Sequence, residues 1–291
     1  MAIAYSAEKD DLYYPAKQAV FFPNGRPVSD AALCVEMARL AYAQLGTGFE
    51  FDQDRIRKIL ARIQFTSCRF FESATKPKGG GSHAFLAVDE NKNLAVLAFR
   101  GTDSEDPTDL LDDFDAIPKP WRAGGSVSTG FSDALVEVWP GIDAVLQAIG
   151  GFKLLFTGHS LGAAMATLAA SLHRPASLYT FGCPRVGDQA FVDVLGGLDN
   201  HRYVDCSDLV ARVPPAGMLG YVHMPGEIYY IDSIRQVRLR EPDDAYIGSD
   251  QTRAEAAYLG DYAWRTGDVG VRPLADHAPV NYVLPVTAAT P

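Results

Sequence analysis

Ser160, in Gly158-His-Ser-Leu-Gly162, stands where a serine can serve as a nucleophile. The stretch before it, Lys153-Leu-Leu-Phe-Thr157, is a short apolar strand, and the run after it, rich in Ala163, Ala164, Ala166, Ala169 and Ala170, is a helix of small residues. A serine at the apex of such a strand-to-helix turn sits in a strained backbone conformation, and a glycine two residues away on each side lets neighbouring backbone pass close by. The following helix points its first N–H groups at any negative charge that forms there.

A serine hydroxyl is a poor nucleophile until a base takes its proton, and the base needs a carboxylate to fix its tautomer. Around a turn of this kind the chain order is Ser, then Asp or Glu, then His. The histidines after Ser160 are His173, His201, His223 and His277. His173 falls at the far end of the helix, about 20 Å away at 1.5 Å per residue. His201 opens a strand at the wrong edge of the sheet, and His223 sits inside a hairpin pattern. His277, in the loop Pro273-Leu-Ala-Asp-His-Ala-Pro279, is the base candidate. For the acid, Asp208 lies just past the strand His201–Cys206, where site residues collect. Asp205, inside that strand, and Asp188, which also reads as a helix cap, are the alternatives. An oxyanion needs two N–H donors: Leu161 follows the nucleophile, and Gly101 lets the N–H of Thr102 face the site from the end of the strand Leu94–Phe99.

The elements that must position these residues change character along the chain. Residues 1–28 are rich in aromatics and prolines without periodicity, an irregular arm. Ser29-Asp30 caps a helix with Leu33, Met37, Leu40, Ala41 and Leu45 on one face, ended by Gly46. A second helix begins at Asp52 or Asp54. Residues 64–74 are extended, and His83–Val88 with Leu94–Phe99 form a hairpin across Asp89–Asn93. From Val127 onward helix and strand alternate: a helix over Phe131–Ile149 with Pro140 inside, the Ser160 unit, a strand Ser177–Gly182, a helix Asp188–Leu195 and a strand His201–Cys206. Alternation of this kind gives a parallel sheet covered on both faces. A second hairpin, Tyr221–Met224 with Glu227–Asp232, and a helix Thr252–Trp264 follow. The expectation is one domain over 1–291, with a disordered tail over 286–291.

Composition narrows the partners. The chain has 291 residues, 47% hydrophobic, and a net charge of −10. That charge argues against nucleic acid or an anionic membrane surface, and no apolar run is long enough to span a bilayer. Cys34, Cys68, Cys183 and Cys206 are scattered, which favours reduced thiols over disulfides or zinc. The first fifteen residues carry no basic n-region and no apolar h-region, so the expected location is cytoplasmic.

With these residues in place the chain resembles the class 3 lipases, the fungal-triacylglycerol-lipase-like branch of the α/β-hydrolases. The resemblance rests on Phe99-Arg-Gly-Thr102, Gly130-Phe131, Thr157-Gly-His-Ser-Leu-Gly-Ala163 and Tyr179-Thr-Phe-Gly-Cys-Pro-Arg-Val-Gly187. It continues through Ser207-Asp-Leu-Val-Ala-Arg-Val-Pro-Pro215, Gly220-Tyr-Val-His223 and Asp276-His277, in the family's order over roughly Leu94 to Tyr282. It implies an α/β-hydrolase fold: a mixed, mostly parallel central sheet flanked by helices, with a lid segment at 103–122 after the oxyanion strand. It also implies Ser160, Asp208 and His277 as nucleophile, acid and base, and Thr102 and Leu161 as oxyanion donors, the five residues already reached. Two departures stand out. Residues 103–115 carry seven carboxylates and no Lys or Arg, where the fungal lids are amphipathic. The fungal members are also secreted and disulfide-bonded.

The expected function is therefore a serine carboxylester hydrolase acting on short- to medium-chain acyl or glycerol esters, without metal or cofactor. Its partner is a small acyl ester or lipid, with no nucleic acid and no stable membrane insertion. The rivals are an interfacial triacylglycerol lipase, a phospholipase A1-like enzyme, an acyltransferase working through the same acyl-enzyme, and a silent lipase-like binding module. The complete set of triad residues argues against the last.

Overall fold

The structure is a computed structural model that describes residues 4–46, 49–73, 81–102, 115–239 and 242–289. Eight strands form one sheet in the order β1 (Ser67–Glu72), β2 (His83–Asp89), β3 (Leu94–Phe99), β6 (Lys153–His159), β7 (Ser177–Phe181), β8 (Asp199–Asp205), β9 (Glu227–Ile231) and β10 (Val237–Leu239). The run from β3 to β9 is parallel, while β1, β2 and β10 are added antiparallel. A separate ribbon pairs β4 (Pro118–Pro120) with β5 (Ser126–Ser128). The expected switch from antiparallel to parallel thus occurs between β2 and β6, where helical connections take over from turns.

Side-chain alternation along the strands splits the core in two. Val96 and Ala98 on β3 and Leu155 on β6 face α2 (Asp30–Leu40), α3 (Gln53–Arg62) and the late helix α9 (Pro279–Ala289). Ala95, Leu97 and Phe99, with Leu154 and Phe156, face α4 (Thr129–Ala148) and α5 (Leu161–Leu172). Strands buried on both faces read as continuous apolar runs, as β3 and β6 do. Each fully buried Leu or Phe there contributes roughly 2 kcal/mol. Ser29 caps α2 by accepting from Ala32 N, and Asp52 caps α3 by accepting from Arg55 N.

Three expectations give way. Tyr221–Met224 does not form a hairpin with the strand after it. β9 runs parallel to β8 and turns instead into β10. Asp232 fixes that turn, its Oδ1 accepting from Ile234 N (3.2 Å) and Gln236 N (2.9 Å). The expected disordered tail is helical to Ala289, because Tyr282, Val283 and Val286 bury a stripe against the sheet that outweighs Pro285. The helix expected from Thr252 starts earlier: α7 spans Asp244–Asp261, with Asp243 accepting from Tyr246 N. Within the arm, expected to be irregular, α1 (Lys9–Tyr13) and a 3₁₀ turn at Pro15–Lys17 are helical, and the chain is irregular from there to α2. Of the lid segment, residues 103–114 lie outside the described residues.

Candidate active site

Ser160 joins β6 to α5 at φ 59°, ψ −128°, a conformation that a side chain adopts only under strain. The flanking glycines have the steric role the spacing predicts. A Cβ at Gly158 would lie 2.2 Å from the carbonyl oxygen of Gly162, and one at Gly162 would lie 2.3 Å from that of Phe99. The elbow therefore closes on itself and presses against the end of β3. There a Cβ at Gly101 would meet the backbone oxygen of His159 at 2.8 Å. The turn that carries Thr102 thus abuts the elbow. Leu161 opens α5, so its N–H belongs to the first helical turn, whose donors have no acceptor within the helix.

Asp208 sits in the turn after β8 and is fully buried. Its carboxylate accepts from Val210 N (2.9 Å), from the hydroxyl of Tyr282, and from His277 Nδ1 at 3.0 and 2.9 Å. Burial pushes this carboxyl up, but the imidazole of His277 and the hydroxyl of Tyr282 outweigh it and hold it below the usual carboxylate range. Asp208 is thus an ionised partner that fixes His277 with Nε2 directed away from it. His277 follows α8 (Arg272–Ala275), with its own N–H bonded to Leu274 O (3.1 Å). Ser160 Oγ and His277 Nε2 are both buried and hydrogen-bond to none of the described residues. Both side-chain atoms are thus free for a reacting group.

The rival residues have other partners. His223 Nε2 donates to Ala211 O (2.9 Å). His201 stacks on Tyr179, 4.5 Å between centroids, and lies 3.1 Å from Asp199. His173 is the C-cap of α5. Asp205 is held by both oxygens on Arg235 Nη1, at 2.6 and 2.8 Å, and Asp188 caps α6 (Gln189–Val194) by accepting from Phe191 N. Sequence reasoning missed Tyr282, His159 and Gly182. A Cβ at Gly182, where φ is +58°, would lie 2.7 Å from Asp208 Oδ2. The glycine after a strand that ends beside the elbow was the available signal. Tyr282 had none, because its partner Asp208 lies 74 residues earlier and the helix that carries it has no local signal ahead of Pro285.

The family description lipase (class 3) fits residues 96–218. A secreted mono- and diacylglycerol lipase A of Penicillium cyclopium is 30% identical over 219 residues, 72% of this chain and 70% of that protein. The chain belongs to the class 3 lipase family. A secreted mono- and diacylglycerol lipase 1 of Fusarium solani is 35% identical over 164 residues, 52% of this chain but only 48% of that relative. The solved structure of a Rhizomucor miehei triacylglyceride lipase shares the fold, with a TM-score of 0.58 at 23% identity over 87% of this chain and 93% of that one. Membership in the class 3 lipases carries the reaction class expected from the sequence, carboxylic ester hydrolysis.

One expectation is corrected by the same relatives. The Fusarium and Penicillium lipases are named as secreted, which points to an extracellular rather than a cytoplasmic protein. A leader is cut away from a secreted chain, so its absence from a sequence does not argue for retention in the cell. Cys34, Cys68, Cys183 and Cys206 are free thiols. Burial pushes the Cys183 and Cys206 thiols up to about 12, which disfavours the reactive thiolate at neutral pH. No described helix is long and apolar enough to cross a membrane.

Proposed function

We propose that the chain hydrolyses acyl esters of glycerol, mono- and diacylglycerols foremost, through an acyl-enzyme on Ser160. The observation that carries this reading is the bond of His277 Nδ1 to the buried Asp208 carboxylate (2.9 Å), in a site whose elbow holds Ser160 at positive φ. Ser160 Oγ attacks the ester carbonyl while His277 Nε2 takes its proton, and the imidazolium that forms is stabilised by Asp208. The N–H groups of Thr102 and Leu161 hold the oxyanion, a contribution on the order of 3 kcal/mol per donor. The glycerol oxygen leaves with the proton from Nε2. Water then adds to the acyl carbon, gives a proton to His277, and releases the fatty acid as the proton returns to Ser160 Oγ.

The substrate preference rests on the relatives' named activity and on the acidic stretch 103–115. Seven carboxylates in that stretch resist transfer into an oil phase, since burying an unpaired charge is costly. Turnover of dissolved short- to medium-chain esters and of partial glycerides follows, with little gain when the substrate passes its solubility limit. A rate series across that limit, with mono-, di- and triacylglycerols of one chain length, tests the assignment. A sharp jump on emulsion formation with triacylglycerol preferred would make this an interfacial triacylglycerol lipase instead.

A further inference from the structure

Behind the Asp208–His277 pair lies a second buried polar cluster with a different composition. Asp276 precedes His277, and Ser207 precedes Asp208. Asp276 Oδ2 accepts from Ser207 N (3.0 Å) and from Arg272 Nε (3.0 Å). One carboxylate therefore ties the residue before the acid to the residue before the base. Its other oxygen, Oδ1, accepts from the hydroxyl of Tyr5 at 2.9 Å, a partner 271 residues away on the amino-terminal arm. Asp276 is fully buried, so loss of any of these donors leaves a charged oxygen short of a partner.

The arm is fixed at this place by more than one bond. Ser6 N donates to Asn281 Oδ1 and Asn281 Nδ2 donates back to Ser6 O, both at 2.8 Å. Asn281 Nδ2 also reaches Ala275 O at 2.8 Å, at the end of α8 and two residues before His277. The ring of Tyr5 lies near two guanidiniums, 5.1 Å from Arg235 Cζ and 5.5 Å from Arg272 Cζ. Arg235 in turn grips Asp205 at the end of β8 and donates to the backbone oxygen of Asn281. Val269 N bonds to Ala7 O (2.7 Å) and Lys9 N to Gly267 O (2.9 Å), which aligns the arm along the approach to the loop.

We infer that Asp276 is a positioning residue that sets the register of the acid loop against the base loop, and that Tyr5 of the amino-terminal arm completes it. The arm is thereby part of the active-site support. Catalytic geometry is sensitive at this scale, since a misplacement of about 1 Å costs on the order of 100-fold. Because the Tyr5 hydroxyl and both oxygens of Asp276 are engaged with each other, Ser207 and Arg272, their loss acts on the chemical step and leaves substrate binding in place.

The inference rests on the reading of Asp208 and His277 as acid and base, and the test separates the two. Tyr5→Phe keeps the ring beside the guanidiniums and removes only the hydroxyl, while Asp276→Asn removes the charge at nearly constant shape. The kcat and KM for a dissolved short-chain p-nitrophenyl ester are measured per active site, titrated with an organophosphonate, in the full chain. Tyr5→Phe should lower kcat per titrated site by about tenfold and Asp276→Asn by about 100-fold, with KM within twofold of the parent. If Asp276→Asn does not fold, Tyr5→Phe alone decides. A Tyr5→Phe variant with the parent's kcat per titrated site, changed only in melting temperature or KM, overturns the inference. Ser160→Ala is titrated alongside: if it still binds the organophosphonate, the triad reading itself fails, whereas Ser160-dependent titration with an unaffected Tyr5→Phe removes this inference only.

Discussion

His159 Nε2 donates across 2.7 Å to the backbone oxygen of His277, so the residue beside the proposed nucleophile holds the main chain of the proposed base. The two rings lie 4.4 Å apart, and His159 Nδ1 accepts from the hydroxyl of Tyr42 (2.8 Å). That pattern requires the neutral Nε2–H tautomer. Burial, then the neighbouring His277, lowers the pKa of His159 well below its ordinary value, so it stays neutral.

The pH dependence of stability follows from this. His223 is also held neutral, by burial and by Arg202 and Arg185 nearby. Both histidines take up a proton below about pH 6.5 when the chain unfolds, and neither does so while it is folded. Stability is therefore fully present above about pH 6.5 and falls as pH drops, by up to about 1.4 kcal/mol per pH unit for each histidine. Urea unfolding at pH 7.5, 6.5 and 5.5 measures this. His223→Gln should flatten the acid limb, and an unchanged slope in that variant would refute the assignment.

Gly182 controls the room available to Asp208 and His277, the proposed acid and base. A side chain there would meet Asp208 Oδ2 at 2.7 Å and His277 Nδ1 at 3.0 Å, at a φ of +58° that already disfavours it. Gly182→Ala should lose at least about 100-fold in kcat/KM, since the acid and base must separate to admit the methyl group. A steady-state assay beside a thermal melt checks this. Near-parental kcat/KM in a folded variant would show that the pair tolerates the shift.

The sequence carried the elements that announce themselves locally. The glycines around Ser160, the apolar runs of β3 and β6, and the chain order Ser160, Asp208, His277 all follow from spacing and sterics. What was not legible depends on partners distant in sequence. Tyr282 reaches Asp208 only because α9 packs on the sheet, and Pro285 hid the continuation of that helix over 286–289. Likewise β9 pairs with β8, 22 or more residues earlier, rather than with the neighbouring Tyr221–Met224, and Asp232 helps to turn it into β10. Tyr5 gave no signal, since its partner Asp276 lies at the other end of the chain.

The choice of acid separates cleanly by mutation. Asp208→Asn should cost about 10⁴-fold in kcat by freeing the tautomer of His277. Asp205→Asn breaks a buried bidentate pair with Arg235 and should cost about 3–5 kcal/mol of stability, with a much smaller loss of kcat in the folded protein. Steady-state kinetics paired with urea unfolding of both variants reads the two effects apart. The reverse ranking in kcat would transfer the acid to Asp205.

The central claim is that Ser160 forms the acyl-enzyme. It is tested most directly by quenching a reaction with a slowly deacylating ester, digesting the protein, and locating the acyl group by mass spectrometry. The account predicts one acyl group per chain on Ser160, formed in a burst equal to the enzyme concentration. Ser160→Ala should then show no burst, an activity lower by about 10⁶-fold, and a melting temperature close to the parent's. An acyl group on another residue, or hydrolysis by Ser160→Ala at more than a few per cent of the parent rate, would contradict it.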